Sequence, residues 1–340
     1  MNNPDSLPWA DSSLFPKSES PRRHEYRRLQ SWYRSEVLHA PYGSVSGTKN
    51  KITRVDPIGS LFHSSAVKID PTLNFLAPSL FAPEILEYVN DRIPQVRTWG
   101  GALDSNRLRH NMLSSMPLCF NLFAPLRSRR EIAASVFSKA FDLDVAHIAK
   151  LEKSDGVQAI DGIECEWSPR RDLAMNDGTA FDAVVYFMDS KDQRCLLGIE
   201  TKYTEPFSTT AYGKPGDTSQ AARRAAYVKA SQTGWFKPGA ADRLWQSPTN
   251  QLWRNVMLAA SCEASDELPH IDRAYVGVIH LDGDGHADRA IEGVSAELND
   301  PMRLKHINLQ DLMRAIGDAG LPELSEAFVR RYLDLSPVMA

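Results

Sequence analysis

Apolar residues recur along the chain in two rhythms, and each predicts its own kind of element. Residues 181–188 (FDAVVYFM) and 194–203 (RCLLGIETKY) are β-branched and aromatic runs around a polar DSKDQ at 189–193. That pattern predicts a hairpin. Arg273–Leu281 (RAYVGVIHL) predicts another buried strand, and shorter strands are expected about 160–167, 305–308 and 66–70. Ile132, Val136, Ala140 and Phe141 fall on one helical face and predict a helix over 127–142. A helix over 21–38 has Ser20 as N-cap and Pro21 in its first turn. Further helices are expected near 83–91, 218–231, 241–246, 248–262, 287–297, 309–317 and 321–334. Residues 39–82 read as loop-rich, and 206–217 as a flexible loop beyond the hairpin. The stretch SSMPLCFNLF at 114–123 reads as a buried wall, its Asn121 either hydrogen-bonded within the core or touching a substrate. Strands framed by helices at both ends give an α/β fold. The expected division is a disordered tail over 1–20, a basic and aromatic helical and loop region over 21–125, and a core with C-terminal helices over 126–340.

Charge enters this pattern where apolar residues should continue. Asp182 opens the first hairpin strand, and Glu200-Thr201-Lys202 closes the second. Side chains two apart leave the same face of a strand, so Glu200 and Lys202 share a face. Pairing of the runs brings Asp182 beside them. Two carboxylates suit a hard cation such as Mg²⁺, and an adjacent lysine can orient or deprotonate a water. The alternative is a solvated hairpin carrying a surface ion pair. Apolar continuity on both sides argues against it, because charges within buried strands need a purpose.

Asp182 followed by Glu200-x-Lys202 at a strand end resembles the PD-(D/E)XK nuclease superfamily, close to bacterial restriction-endonuclease-like proteins. The likeness extends in order over Ser114–Phe123, Glu166-Trp167-Ser168-Pro169, Glu200–Glu205 and Gln251-Leu252-Trp253-Arg254-Asn255, covering roughly residues 20–335. One departure is Phe181 where the motif's proline would stand. The resemblance implies a mixed central sheet flanked by helices, a restriction-endonuclease-like core with an N-terminal extension. It also implies a metal-dependent endonuclease acting on DNA, restriction-like or defensive, leaving 5′-phosphate and 3′-hydroxyl ends. Alternatives are a non-cleaving nucleic-acid-binding protein on this fold, or a nuclease directed at RNA. Asp182, Glu200 and the backbone carbonyl of Thr201 would hold Mg²⁺, with Mn²⁺ substituting, and Lys202 would position or deprotonate the attacking water.

Other candidates surround this set. Glu166 ends the first short strand as a further metal or water-activating carboxylate, and Glu164 alternates onto the same face, so either suits that role. Glu131, early in the 127–142 helix, is a further acidic candidate or a charge favoured at a helix N-terminus. On the 248–262 helix, with Ser247 as cap, Gln251, Arg254 and Asn255 lie on one side. Gln251 is expected to steady water, and Arg254 and Asn255 to contact nucleic acid. Glu205 continues on the Lys202 side as an ion-pair partner, whereas Tyr203 faces the core. Lys214, in the loop just beyond the site, is a further expected nucleic-acid contact.

Composition refines the picture modestly. With 340 residues, 42% hydrophobic and 24% charged, the chain can bury a substantial core. A net charge of −4 does not advertise a nucleic-acid binder, but charge is uneven. Residues 17–54 carry nine Lys and Arg against three Glu, interleaved with Tyr26, Trp32, Tyr33 and Tyr42. Arg22, Arg23, Arg27 and Arg28 therefore serve either as phosphate contacts beside stacking rings or as the wet face of a docked helix. Four widely spaced cysteines lack a C-x-x-C pair and suit a reducing cytoplasm. No apolar run reaches membrane length, so no membrane partner is expected. Nine histidines without H-x-x-x-H spacing, and no G-x-S-x-G, set aside zinc-protease and serine-hydrolase chemistry. Cutting both strands would need a homodimer or two successive nicks.

Overall fold

The chain's computed structural model describes residues 15–339, apart from 42, 47–52, 56–58, 64–69, 102, 155–156 and 266–270. Residues 1–14, Lys49, Lys51 and most of the expected 66–70 strand thus lie outside the described residues. The strands are β1 (Ser44–Ser46), β2 (Thr53–Val55), β3 (His147–Ile148), β4 (Lys150–Leu151), β5 (Ile160–Asp161), β6 (Ile163–Trp167), β7 (Phe181–Met188), β8 (Arg194–Thr201), β9 (Arg273–His280) and β10 (Leu304–Asn308). The helices are α1 (Pro21–Trp32), α2 (Ala82–Thr98), α3 (Ser105–His110), α4 (Ser115–Arg127), α5 (Arg130–Phe141), α6 (Ala221–Ala230), α7 (Ala240–Leu244), α8 (Thr249–Ala264), α9 (Gly285–Ser295), α10 (Leu309–Asp318) and α11 (Pro322–Tyr332). Among them, no helix is long and apolar enough to cross a membrane.

The central sheet is mixed. Its order is β10-β9-β8-β7-β3, with β6 also pairing with β7. The β7–β8 hairpin is antiparallel, with Val184 opposite Gly198. β9 then joins β8 in parallel and β10 joins β9 in parallel, while β3 and β6 run antiparallel to β7. Strand alternation divides the core. Ala183, Val185, Phe187, Leu197 and Ile199 enter the apolar layer under α1, α2, α4, α5, α10 and α11. Val184, Tyr186 and Leu196 enter the layer under α6–α9. Helices on both faces of a mixed sheet are the architecture that the sequence pattern and the resemblance imply.

Three local differences from expectation have clear causes. The stretch 114–123 forms most of α4, whose Leu118–Leu126 is buried throughout, with Ser114 capping through its hydroxyl. Leu118, Phe120, Leu122 and Phe123 pack all round rather than along one stripe, which hides helical periodicity. There Asn121 donates to the Asn74 carbonyl and the Tyr332 hydroxyl, so it belongs to the core. Helix α2 runs past its expected end and through Pro94, which gives up one i→i−4 hydrogen bond there. At α8 the cap is Pro248, not Ser247, with no side-chain hydrogen bond. The turn is instead tied by Asn250, which donates to the Trp245 and Tyr212 carbonyls.

Residues 15–20 pack onto α1: Phe15 is buried against His24, and Glu19 pairs with Arg23 and Arg27. Behind the sheet, Gln30 of α1 donates to the Tyr203 hydroxyl at 3.0 Å and to the Arg331 carbonyl at 2.6 Å. The Tyr203 hydroxyl donates in turn to the Tyr332 carbonyl.

Gly198, at the centre of β8, is a packing requirement. A Cβ there would sit 2.2 Å from the Phe181 ring, which stacks on Trp167 at 6.5 Å. Gly198→Ala is expected to destabilise the protein by about 1–3 kcal/mol, through overpacking of a ring with no room to retreat. Urea unfolding against wild type checks this, and an unchanged midpoint would refute it.

Candidate active site

Period-two alternation along β8 places Glu200 on the α8 face, and pairing continues one residue further. The Lys202 amide donates to the Ile279 carbonyl at 2.7 Å, so Lys202 emerges beside Glu200. Both are nearly sealed, at 2% and 5% exposure. The Lys202 Nζ lies 2.6 Å from Glu200 Oε1 and 4.6 Å from the Phe207 ring centroid. Burial alone would lower the lysine's pKa; the charges of Glu200 and Asp182 outweigh it and hold the pKa above its ordinary value.

Helix α8 fixes this pair. Gln251 Nε2 and Asn255 Nδ2 each donate to Glu200, at 2.6 Å to Oε1 and Oε2 respectively. Gln251 Oε1 accepts from Lys202 Nζ at 3.2 Å and from the Ser208 amide at 2.9 Å. One amide thus ties the carboxylate, the lysine and the 206–217 loop together. Asp182, at the start of β7, accepts at Oδ2 from the Thr201 amide (2.7 Å) and hydroxyl (2.8 Å). Burial first, then Glu200, pushes its carboxyl up to about 7, against the pull of Lys202 and Thr201.

Glu166 completes the row by breaking a rule. Its φ of +53 is left-handed, and it falls between the paired residues Cys165↔Ala183 and Trp167↔Phe181. Because of that kink Glu164 and Glu166 take different surroundings despite being two apart. Glu166 lines the same cavities as Asp182 and Glu200. Burial, then Asp182 and Glu200, raises its carboxyl to about 8. Glu164 accepts from the Tyr88 hydroxyl at 2.9 Å and from Arg127 at 3.1 Å, with Arg92 at 3.8 Å. It is held in these contacts and lines neither cavity with the other carboxylates. Glu131 is exposed in the first turn of α5, outside this row, where its charge suits the helix terminus.

The remaining candidates separate by position. Arg254 lines a cavity with the carboxylates. It donates to the Thr179 hydroxyl at 3.0 Å, lies 4.0 Å from Asp177 and packs over Tyr212. Arg23 lines the neighbouring cavity and bonds Glu19 and the Thr204 carbonyl. Arg27 is buried on Glu19 and Ser60, Arg28 packs over Phe15, and Arg22 bonds the Asp282 carbonyl. These three line neither cavity with the carboxylates, and Arg27 is buried rather than on a wet helix face. Lys214 is exposed and lines neither cavity. Glu205 pairs with Arg107 at 2.7 Å, not with Lys202, and accepts from the Ser115 amide and hydroxyl. Trp99, Arg107 and Arg171, which also line these cavities, carry no spacing signal in the sequence.

The donor set fits a hard divalent cation. Glu166, Asp182 and Glu200 supply oxygens, and the Glu166 and Asp182 carboxyls are raised first by burial and then by their acidic neighbours. Among the described residues no group of three or more acidic, histidine or cysteine side chains is arranged so that it could hold a metal ion. Glu200 is instead engaged by Gln251, Asn255 and Lys202.

The model of one family, described as the PD-(D/E)XK nuclease superfamily, matches residues 17–334. No curated protein and no solved structure matches the chain. The family match takes in every strand of the sheet and the whole acidic row with its lysine, and the chain belongs to the PD-(D/E)XK nuclease superfamily.

Proposed function

We propose that this protein is a divalent-metal-dependent endonuclease that hydrolyses DNA phosphodiester bonds, of restriction-like or defensive type. The observation that carries the reading is Lys202 seated 2.6 Å from Glu200 within a row that includes Asp182 and Glu166. Asp182, Glu200 and Glu166, with the Thr201 carbonyl, would hold the ion. When bound, Mg²⁺ or Mn²⁺ supplies positive charge to the phosphate and acidifies a water.

The chain's own residues do the rest. Lys202 presents a sealed ammonium that orients the attacking water and stabilises the anionic transition state. Gln251 restrains both Lys202 and Glu200, and Asn255 fixes the second oxygen of Glu200, so the row is preorganised by α8. Arg254 offers a guanidinium to a phosphate oxygen. Attack of water on phosphorus with departure of the 3′-oxygen leaves a 5′-phosphate and a 3′-hydroxyl. Four buried free cysteines suit a cytoplasmic setting.

The test is cleavage of plasmid and single-stranded DNA by purified protein with Mg²⁺, with Mn²⁺ and with EDTA, beside Glu200→Gln. The expected result is metal-dependent cutting that the variant loses by at least about 100-fold. Cutting that persists in EDTA or in Glu200→Gln would overturn the proposal. Salt-sensitive DNA binding without cutting would favour a binding module on this fold, and cutting of RNA alone would move the substrate.

A further inference from the structure

The acidic row stands at a neck between two cavities. Glu166, Asp182, Glu200 and Gln251 line both. One cavity, of about 210 Å³, has Trp99 in its wall beside Gly100 and Gly101, with Arg171 and Arg254. The other, of about 410 Å³, holds Arg23, Arg107 and Lys202. In the smaller cavity two guanidiniums stand among the carboxylates with donors to spare. Arg171 donates to the Gly100 carbonyl at 2.8 Å and has no ion pair among the described residues. Arg254 lies 4.0 Å from Asp177, donates to the Thr179 hydroxyl and packs over Tyr212, and its buried Nε lacks a hydrogen-bond partner. The wall beside Trp99 is bare backbone by necessity: Gly100 has φ +74, and a Cβ on Gly101 would lie 2.4 Å from Val96 Cγ1.

We propose that the substrate strand passes unpaired through both cavities, with a base beside the scissile phosphate stacked on Trp99 and flanking phosphates held by Arg171 and Arg254 on one side and Arg23 and Arg107 on the other. This rests on the hydrolytic reading above and narrows its substrate to single-stranded DNA cut internally. An aromatic wall interleaved with guanidinium groups holds any base by its π-face and any backbone by its charge. A duplex has its bases stacked inside and its phosphates outside. Access to Glu200 and Lys202, both nearly sealed, favours a strand that can enter a narrow channel. Arginines on both sides of the row leave a path for the strand in each direction, so no free end is required.

Binding is measured in EDTA with a 2-aminopurine-labelled single strand and with the blunt duplex of the same sequence. The single strand should bind at least about tenfold more tightly, with quenching of the probe. Trp99→Ala should weaken it by about 5- to 100-fold and abolish the quenching, and Trp99→Phe should restore most of both. Arg171→Ala should lower the slope of log affinity against log salt by about one. With Mg²⁺, circular single-stranded DNA should be cut as readily as linear. Equal or tighter duplex binding, unchanged affinity in folded Trp99→Ala, or a resistant circle would overturn the proposal. A protein that binds this way and cuts nothing would sink the hydrolytic reading alone. One that cuts only duplex would sink the strand path alone.

Discussion

Replacing Lys202 by alanine is expected to lower the rate of strand cleavage by about 10²–10³-fold, the usual cost of removing a preorganised charge aimed at a developing anion. The loss should fall on the single-turnover rate, while DNA affinity measured in EDTA changes by less than about tenfold. The reason lies in how the ammonium is held. Its Nζ touches Glu200 Oε1 and Gln251 Oε1 and sits over Phe207, so it neither relaxes into solvent nor is replaced by a neighbouring cation. Truncation also leaves Glu200 buried with one fewer partner, which costs stability. Melting curves of Lys202→Ala and Lys202→Met therefore accompany the assay. Full cleavage by either folded variant would remove the lysine from the mechanism.

Asp182→Asn should abolish metal-dependent cutting and yet raise the melting temperature of the metal-free protein at pH 8. The sign follows from its carboxyl, pushed up to about 7 by burial and by Glu200, against an unfolded value of about 3.9. A carboxyl raised on folding favours the native state below its unfolded pKa, and that contribution is lost as pH rises through the folded value. Wild-type protein in EDTA should therefore lose stability between about pH 4 and pH 8. The asparagine can still accept from Thr201 but carries no charge, so it should remove the Asp182 share of that fall, leaving the share of Glu166, whose carboxyl is raised to about 8, and gain about 1–3 kcal/mol at pH 8. Added Mg²⁺ should stabilise wild type more at pH 8 than at pH 6, and should leave the variant nearly unchanged. Differential scanning calorimetry across pH, with EDTA or Mg²⁺, measures all of this. A variant less stable than wild type at pH 8 would mean that Asp182 is a net structural anion.

The sheet was legible because its strands obey one period. The run 181–188 matches β7 to the residue, and the alternation that put Glu200 and Lys202 on one face survives intact. α8 was legible for a similar reason: Gln251, Arg254 and Asn255 share a side by spacing, and the structure turns that side to the acidic row. Glu166 marks where period-two reasoning stops. Nothing in ECEW signals a left-handed residue, so strict alternation could not separate Glu166 from Glu164. The same limit applies to α4, whose apolar residues surround the helix and leave no stripe to read. The arginines of residues 22–28 show the remaining gap. Their count was visible, but Glu19, Ser60 and Phe15 engage Arg23, Arg27 and Arg28 through contacts that local pattern does not encode.

The link between Gln30, Tyr203, Arg331 and Tyr332 bears on when the site is completed. The residue that follows Lys202 is anchored by groups that the ribosome delivers far apart in time, 301 positions apart in the Gln30 to Arg331 bond. Until Arg331 and Tyr332 have emerged, the Tyr203 hydroxyl lacks its acceptor and the strand end bearing Lys202 lacks its backing. A growing chain that already contains Asp182, Glu200 and Lys202 has therefore not yet gained the backing that holds the end of this strand.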